Sequence, residues 1–343
     1  MNYVFALAAA LLFAVSVPAG KILLTHLKPM ELSALCYFGS GLGLALWRAF
    51  VPGRSGSEAP LGKRDLPYTA GFILSGGVLA PVLLFTGLSL TSSSCAAMLL
   101  NFELVFTSLI AVIIFREYGG WRLWAAAALI TAGGLALSRG GGTLNLGWGA
   151  ALVLCASLMW GLDNNLTARV SMKDPVALAA IKGLAGGFIN GLLAFHAYRS
   201  LPEAKWVFLA MALGFFSYGV SLVLLILAMR GLGASRAGAF FGSYPFIGAA
   251  LSVALLGDPA SAGLLCAGAL MLAALLLLAA EEHGHRHRHD PVEHEHAHGH
   301  GDPHHGHSHC GAEAGEHSHP HLHDPVEHDH PHLPDAHHRH RHG

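Results

Sequence analysis

Ser94-Cys95-Ala96-Ala97 through Phe115-Arg116-Glu117 recurs as Ser235-Arg236-Ala237-Gly238 through Leu256-Gly257-Asp258, at a constant offset of 141 residues. Each copy runs from small residues through a long apolar stretch to an acid at the helix end. Pro29 and Pro175, each following an earlier apolar run, correspond more loosely. Working outward from this pair, ten apolar segments can be drawn, at 3–24, 30–50, 67–88, 92–115, 121–138, 147–169, 176–197, 206–229, 233–256 and 260–280. Most are long enough to cross a hydrocarbon layer of about 30 Å as helices. Backbone groups in lipid are satisfied only by helices or closed barrels, and continuous apolar runs without strand alternation select helices. Five segments per copy is an odd number, so the second copy must enter the membrane upside down relative to the first. That pattern marks an inverted-repeat secondary transporter with its solute site near the midplane, between the copies.

The expected fold class is therefore an all-α integral membrane protein of ten transmembrane helices, arranged as two inverted five-helix repeats and followed by a disordered tail. The units are 1–139 and 140–280 for the repeats and 281–343 for the tail. The net charge of −1 conceals a segregation: 16 Lys/Arg face 9 Asp/Glu up to Ala280, whereas 4 Arg face 12 Asp/Glu beyond it. Short loops leave no room for an inserted enzyme domain. No nucleophile–base set or phosphate loop is present, and nothing points to nucleic acid. With the amino terminus inside, Arg48, Arg54, Lys63, Arg64, Arg116, Arg122, Arg169, Lys173, Arg230 and Arg236 lie on the cytoplasmic side, against Lys21, Lys28, Arg139, Arg199 and Lys205 outside. This bias places both termini in the cytoplasm of a multi-pass plasma (inner) membrane protein. The first apolar run lacks a basic lead and a cleavage site, and reads as a retained span.

Small-residue runs strengthen the assignment: Thr91-Ser92-Ser93-Ser94-Cys95-Ala96-Ala97 and Gly233-Ala234-Ser235-Arg236-Ala237-Gly238-Ala239. To these are added Tyr244-Pro245-Phe246, the closing acids Glu117 and Asp258, and the Gly-rich runs Ile130-Thr131-Ala132-Gly133-Gly134 and Cys266-Ala267-Gly268-Ala269. On these residues the chain, over essentially all of 1–280, resembles EamA-type members of the drug/metabolite transporter superfamily. The first copy departs from the pattern, with Leu104 at the proline position and Glu103 where the second copy has Tyr244. The resemblance implies a ten-helix fold and export of small metabolites or drugs, usually linked to protons. It leaves the solute unspecified, and the tail lies outside it.

Glu103 leads the candidate site residues. It falls near the middle of its segment, where an ionised carboxylate costs roughly 2.5–3.5 kcal/mol on insertion scales, so the carboxyl should face the protein interior. There it can exchange a proton for solute, or serve structurally by pairing with Asn101. Asp163-Asn164-Asn165 form the second cluster. Successive helical side chains are about 100° apart, so the three cannot share a direction, and at least one should meet the cavity. Tyr244 and Pro245 combine an aromatic hydroxyl with a proline that frees a carbonyl one turn back; Pro18 and Pro81 should kink their helices in the same way. Lys21 and Lys182 lie within two turns of a span end, where snorkelling to the interface is preferred to pairing with Asp163 or Glu103. Glu117 and Asp258 are read as structural or gating groups, and His26 and His196 as interfacial.

The tail holds 23 of the 25 histidines. His283, His285, His287 and His289 alternate with other residues, and His294, His296, His298 and His300 continue the pattern. His304, His305, His307, His309 and the neighbouring Cys310 follow, then His317, His319, His321, His323, His328, His330 and His332. Neutral imidazole is the commonest protein ligand for Zn²⁺, Ni²⁺, Co²⁺ and Cu²⁺. Several overlapping divalent-metal sites are expected on a segment too polar to build its own core. No CxxC pair supports a closed zinc site, and Cys36, Cys95, Cys155 and Cys266 read as small apolar residues.

No cofactor is obligatory. Expected partners are the lipid membrane, a small-molecule solute, protons and divalent metal ions, with a homodimer left open. The preferred function is a proton-coupled exporter of a small organic metabolite or drug whose tail responds to cytoplasmic metal. The alternatives are a divalent-metal (Zn, Ni or Co) transporter, or a membrane-anchored metal buffer or sensor.

Overall fold

The computed structural model describes residues 2–50, 61–115, 120–138, 147–170, 173–232, 237 and 240–279, together with the backbone of 283–288, 292–298, 317–323 and 327–332. The described residues of the body form helices joined by short turns. Helices α1 (Asn2–Ala14) and α2 (Ser16–Leu23) form one apolar stretch that breaks at Val15. The break lies one turn before Pro18, which has no N–H to offer the Ala14 carbonyl. Helix α3 spans Pro29–Phe50. After a short turn at Lys63–Asp65, α4 (Leu66–Phe72) runs through a π-helical segment, Ile73–Leu79, into α5 (Ala80–Leu90).

The expected span at 92–115 is two helices, α6 (Ser93–Leu99) and α7 (Phe102–Ile113), separated by a turn at Leu100 and Asn101. The Ser92 hydroxyl caps α6 by accepting from the Cys95 N–H at 3.3 Å. Then come α8 (Trp121–Ser138), α9 (Trp148–Ala168) and α10 (Pro175–Tyr198). Asp174 caps α10 by accepting from the N–H groups of Val176 and Ala177, and it pairs with Arg48 at the end of α3. Helix α11 (Ala204–Gly214) continues through a second π-helical segment, Phe215–Val220, into α12 (Ser221–Leu232). Helices α13 (Tyr244–Leu256) and α14 (Ala262–Ala279) complete the body.

Among the described residues, five stretches are long and apolar enough to cross a membrane: Asn2–Leu23, Lys63–Leu90, Ser93–Ile113, Pro175–Tyr198 and Ala204–Ala228. Trp121–Leu137, Tyr244–Leu256 and Ala262–Leu277 are shorter apolar helices. The outer faces of these helices carry large exposed apolar side chains, among them Ile113, Phe188, Phe208, Leu255 and Leu276. So much exposed apolar surface suits a molecule solvated by lipid. Lipid tails are as apolar as Leu, so helix association here depends on close packing more than on the hydrophobic effect. Gly41 of α3 and Gly183 of α10 meet backbone to backbone: a Cβ on Gly183 would lie 2.6 Å from the Gly41 Cα.

One end of the bundle is tied by polar contacts. Lys21 at the end of α2 donates to the Leu88 and Thr91 carbonyls, at 2.6 and 2.7 Å. Asp258, just past α13, accepts from the Ser94 N–H at 2.7 Å, and the Ser93 and Ser252 hydroxyls share a hydrogen bond at 2.8 Å. The expected snorkelling of Lys21 is thus replaced by capping, because the end of α5 presents unpaired carbonyls within the reach of its stem.

In the tail the described backbone forms strands β1 (His283–Arg288), β2 (Val292–His298), β3 (His317–His323) and β4 (Glu327–His332). β1 pairs antiparallel with β4 and β2 with β3. His at every second residue matches the two-residue period of a strand. His283, His285 and His287 stand opposite His332, His330 and His328 in the register.

Candidate functional site

Glu103 is the second residue of α7, just beyond the turn that breaks the span. Its Oε1 accepts from the Asn164 amide at 2.8 Å, and its Oε2 accepts from the Tyr244 hydroxyl at 2.9 Å. Tyr244 stands 141 residues after Glu103, at the equivalent position of the second copy. The break at Leu100–Asn101 and the helix start at Tyr244-Pro245 bring these two positions face to face. Asn101 turns back to its own helix, donating to the Met98 carbonyl at 3.0 Å. Pro245 occupies the first turn of α13, where its missing N–H costs nothing.

The three polar residues of α9 diverge as their angular spacing requires. Asp163 and Asn164 line a cavity, whereas Asn165 points between helices and donates to the carbonyls of Thr107 and Gly161, at 2.9 and 2.8 Å. Lys182 of α10 lies 2.5 Å from Asp163 Oδ2, and the Thr167 hydroxyl donates to Oδ1 at 3.3 Å. The side chains of Lys182 and Asp163 are only 12% and 5% exposed. Pairing therefore wins over the snorkelling expected for Lys182. A carboxylate one helix away satisfies the ammonium at a shorter reach than the interface does.

The cavity encloses about 590 Å³ including its open mouth, and Glu103, Asp163, Asn164 and Lys182 meet in it with Phe13, Trp160, Tyr218 and Phe241. Phe13 of α1 is the hub of the aromatic wall. Ring centroids of Tyr244, Tyr218, Phe241 and Trp160 lie 4.7, 5.4, 5.4 and 6.1 Å from it, all in edge-to-face geometry.

The second π-helical segment lines this space through Ser217 and Tyr218, and the first, at the corresponding place in the other copy, packs behind it, its Gly76 backed by Asp163. In the first, Pro81 cannot donate to the Gly77 carbonyl, and the Asn190 amide of α10 does so instead at 3.2 Å. The Tyr37 hydroxyl takes the neighbouring Gly76 carbonyl at 2.5 Å. In and beside the second, Ser217 and Ser221 donate to the Leu12 and Ala9 carbonyls of α1, at 2.7 and 2.8 Å. Such bulges re-aim backbone groups and are frequent at functional sites.

Phe13, Trp160, Tyr218 and Phe241 of the aromatic wall, Tyr37, Thr107, Asn190 and both π-helical segments were not among the residues the sequence singled out. Tyr37 and Tyr218 offered a signal, since each is a hydroxyl deep inside an apolar run. His26 stacks on Trp206 at 3.7 Å and 10°, as suits an interfacial ring. Glu117 and Cys310 lie outside the described residues, as do the tail's imidazoles. Among the described residues no group of three or more His, Cys, Asp or Glu converges on a metal-sized site.

A solved crystal structure superposes with a TM-score of 0.61 at 18% identity, covering 80% of this chain and 95% of the other, and so shares the fold. The "Uncharacterized transporter" of Methanothermobacter thermautotrophicus is 28% identical over 294 residues, 81% of this chain and 85% of that protein. The profile of the EamA-like transporter family matches residues 1–139 and again 147–280. The chain is therefore a membrane transporter and not an enzyme, and it belongs to the EamA-like transporter family.

Proposed function

We propose that this protein is a proton-coupled exporter of a small organic metabolite or drug, built as ten transmembrane helices in two inverted copies in the inner membrane. The cavity between the copies is the solute site, and Glu103 exchanges a proton for the solute. One observation carries this reading: the intramembrane carboxylate of Glu103 faces the cavity and is bridged to Tyr244, its counterpart in the second copy. A residue that joins the copies at their pseudo-symmetry position feels any movement of one against the other. When solute binds, loss of the Glu103 proton supplies the counter-charge; when solute leaves, a proton returns. The groups facing Glu103 are Asn164 and Asp163 on α9, Lys182 on α10 and Tyr244 on α13. Asp163 is held by Lys182 and serves to position the α9–α10 pair, with Asn164 orienting Glu103. Asn165, Asn101 and Pro245 fix the helix ends behind them.

Both termini are assigned to the cytoplasm, where the 281–343 tail binds divalent metal. A metal-transporter reading has less support, because the cavity's second carboxylate is already engaged by a lysine. Cells producing the full chain, a chain ending at Glu282, or Glu103→Gln separate the two. Untargeted metabolite profiling of the medium and elemental analysis of the cells are the readouts. The exporter reading expects an organic solute in the medium with the full and shortened chains and its loss with Glu103→Gln. A change in cell metal that depends on Glu103, with no organic solute affected, would establish the metal transporter instead.

A further inference from the structure

The geometry points to the chemical class of the solute: a monovalent organic cation, an ammonium carried on an apolar body. This rests on the reading that the cavity around Glu103 is the solute site, and it goes further in fixing the sign of the charge. Three ionisable side chains with opposed charges meet in that cavity, and two of them cancel. Lys182 lies 2.5 Å from Asp163, and both are buried. Among the described residues, Glu103 receives hydrogen bonds only from the neutral groups of Asn164 and Tyr244, and no Lys, Arg or His forms an ion pair with it. Counted over the described residues, the ionised cavity thus carries one uncompensated negative charge inside the helix bundle. A proton or a cationic solute satisfies it, and the two exclude one another, which is the exchange an antiporter needs.

The walls favour the same sign. Phe13, Trp160, Tyr218 and Phe241 line the cavity, and an ammonium seated over an aromatic ring is attracted by its quadrupole where a carboxylate is repelled. An anionic solute, by contrast, would have to displace Asp163 from Lys182 and approach Glu103.

Equilibrium binding to the full-length protein purified in detergent tests this, using phenethylammonium, benzyltrimethylammonium and phenylacetate as probes of similar bulk and different charge. At pH 8 the ammonium probes should bind and phenylacetate should not. Glu103→Gln should weaken ammonium binding by about tenfold to a hundredfold, the range for removing a charged hydrogen-bond partner. Phe13→Leu, which keeps the carboxylate and trims the aromatic hub, should weaken it by several-fold. Phenylacetate binding as tightly as the ammonium probes would overturn the charge assignment with no variant needed, and so would ammonium binding indifferent to both substitutions. Because the readout is binding, it separates from the transport reading. If Glu103→Gln abolishes phenylacetate binding, the solute site stands and only the solute's charge falls. If ammonium binds as expected but no proton-linked efflux exists, the coupling falls and the charge class stands.

Discussion

Replacing Lys182 by Met should destabilise the protein more than any exposed charge substitution, and restoring neutrality at Asp163 should recover most of the loss. Lys182 Nζ lies 2.5 Å from Asp163 Oδ2, with the two side chains 12% and 5% exposed. Without the ammonium, Asp163 keeps, among the described residues, only the Thr167 hydroxyl at 3.3 Å. Removing one partner of a buried pair costs about 3–5 kcal/mol, because the other charge is left uncompensated. At about 2–4 °C per kcal/mol for a large domain, the midpoint should fall by about 6–20 °C. The double variant Lys182→Met/Asp163→Asn removes both charges, so its midpoint should return to within about 5 °C of the parent, the non-additivity that marks direct contact. Thermal unfolding of all four proteins in one detergent, followed by tryptophan fluorescence, closes the cycle. A Lys182→Met midpoint within 2–3 °C of the parent (about 1 kcal/mol or less), or a double variant whose loss equals the sum of the singles, would refute the buried-pair account.

Three other outcomes follow from the packing and the tail. A Cβ at Gly186 would sit 2.5 Å from the Gly77 carbonyl oxygen in the first π-helical segment. Gly186→Ala should therefore cost about 1–3 kcal/mol as overpacking. Gly147→Ala, where a Cβ meets nothing within 4 Å, should change stability by less than about 0.5 kcal/mol; equal effects in the pair would discredit the close α10 contact. Asp258→Asn weakens the bond to the Ser94 N–H and the tie between α13 and α6, so maleimide should label the half-buried Cys95 faster than in the parent, and an unchanged rate would mean that end is held by other contacts. A peptide of residues 281–343 should bind several Zn²⁺ or Ni²⁺ ions at pH 7.5 by calorimetry and release most by pH 5. Imidazole must be neutral to coordinate and titrates near about 6.5. A single tight site persisting at pH 5 would contradict the loose array.

The fold was legible because its signals are one-dimensional. The apolar runs that mark an all-helical membrane body survive without any knowledge of which helices touch. Glu103 was legible for the same reason, as a carboxylate that lipid does not tolerate. Its bond to Tyr244 was not, because offset marks equivalence and says nothing of contact. Lys182 was misjudged because a lysine stem reaches either interface or carboxylate, and only the α9–α10 approach decides between them. Phe13, Trp160 and Phe241 were invisible, since an aromatic ring in an apolar run looks the same whether it faces lipid or a cavity. Both π-helical segments were missed too, although Pro81 hinted at the first by orphaning the Gly77 carbonyl that Asn190 now meets.

The central claim is that Glu103 carries the proton exchanged for solute. Proteoliposomes loaded with a pH-sensitive dye and given an imposed pH gradient measure that exchange, with the solute that metabolite profiling identifies added outside. Wild-type protein should dissipate the gradient when solute is added, and Glu103→Gln, reconstituted at equal density, should leave it intact. Glu103→Gln vesicles that dissipate the gradient as fast as wild type would contradict the account and move the coupling role to another residue.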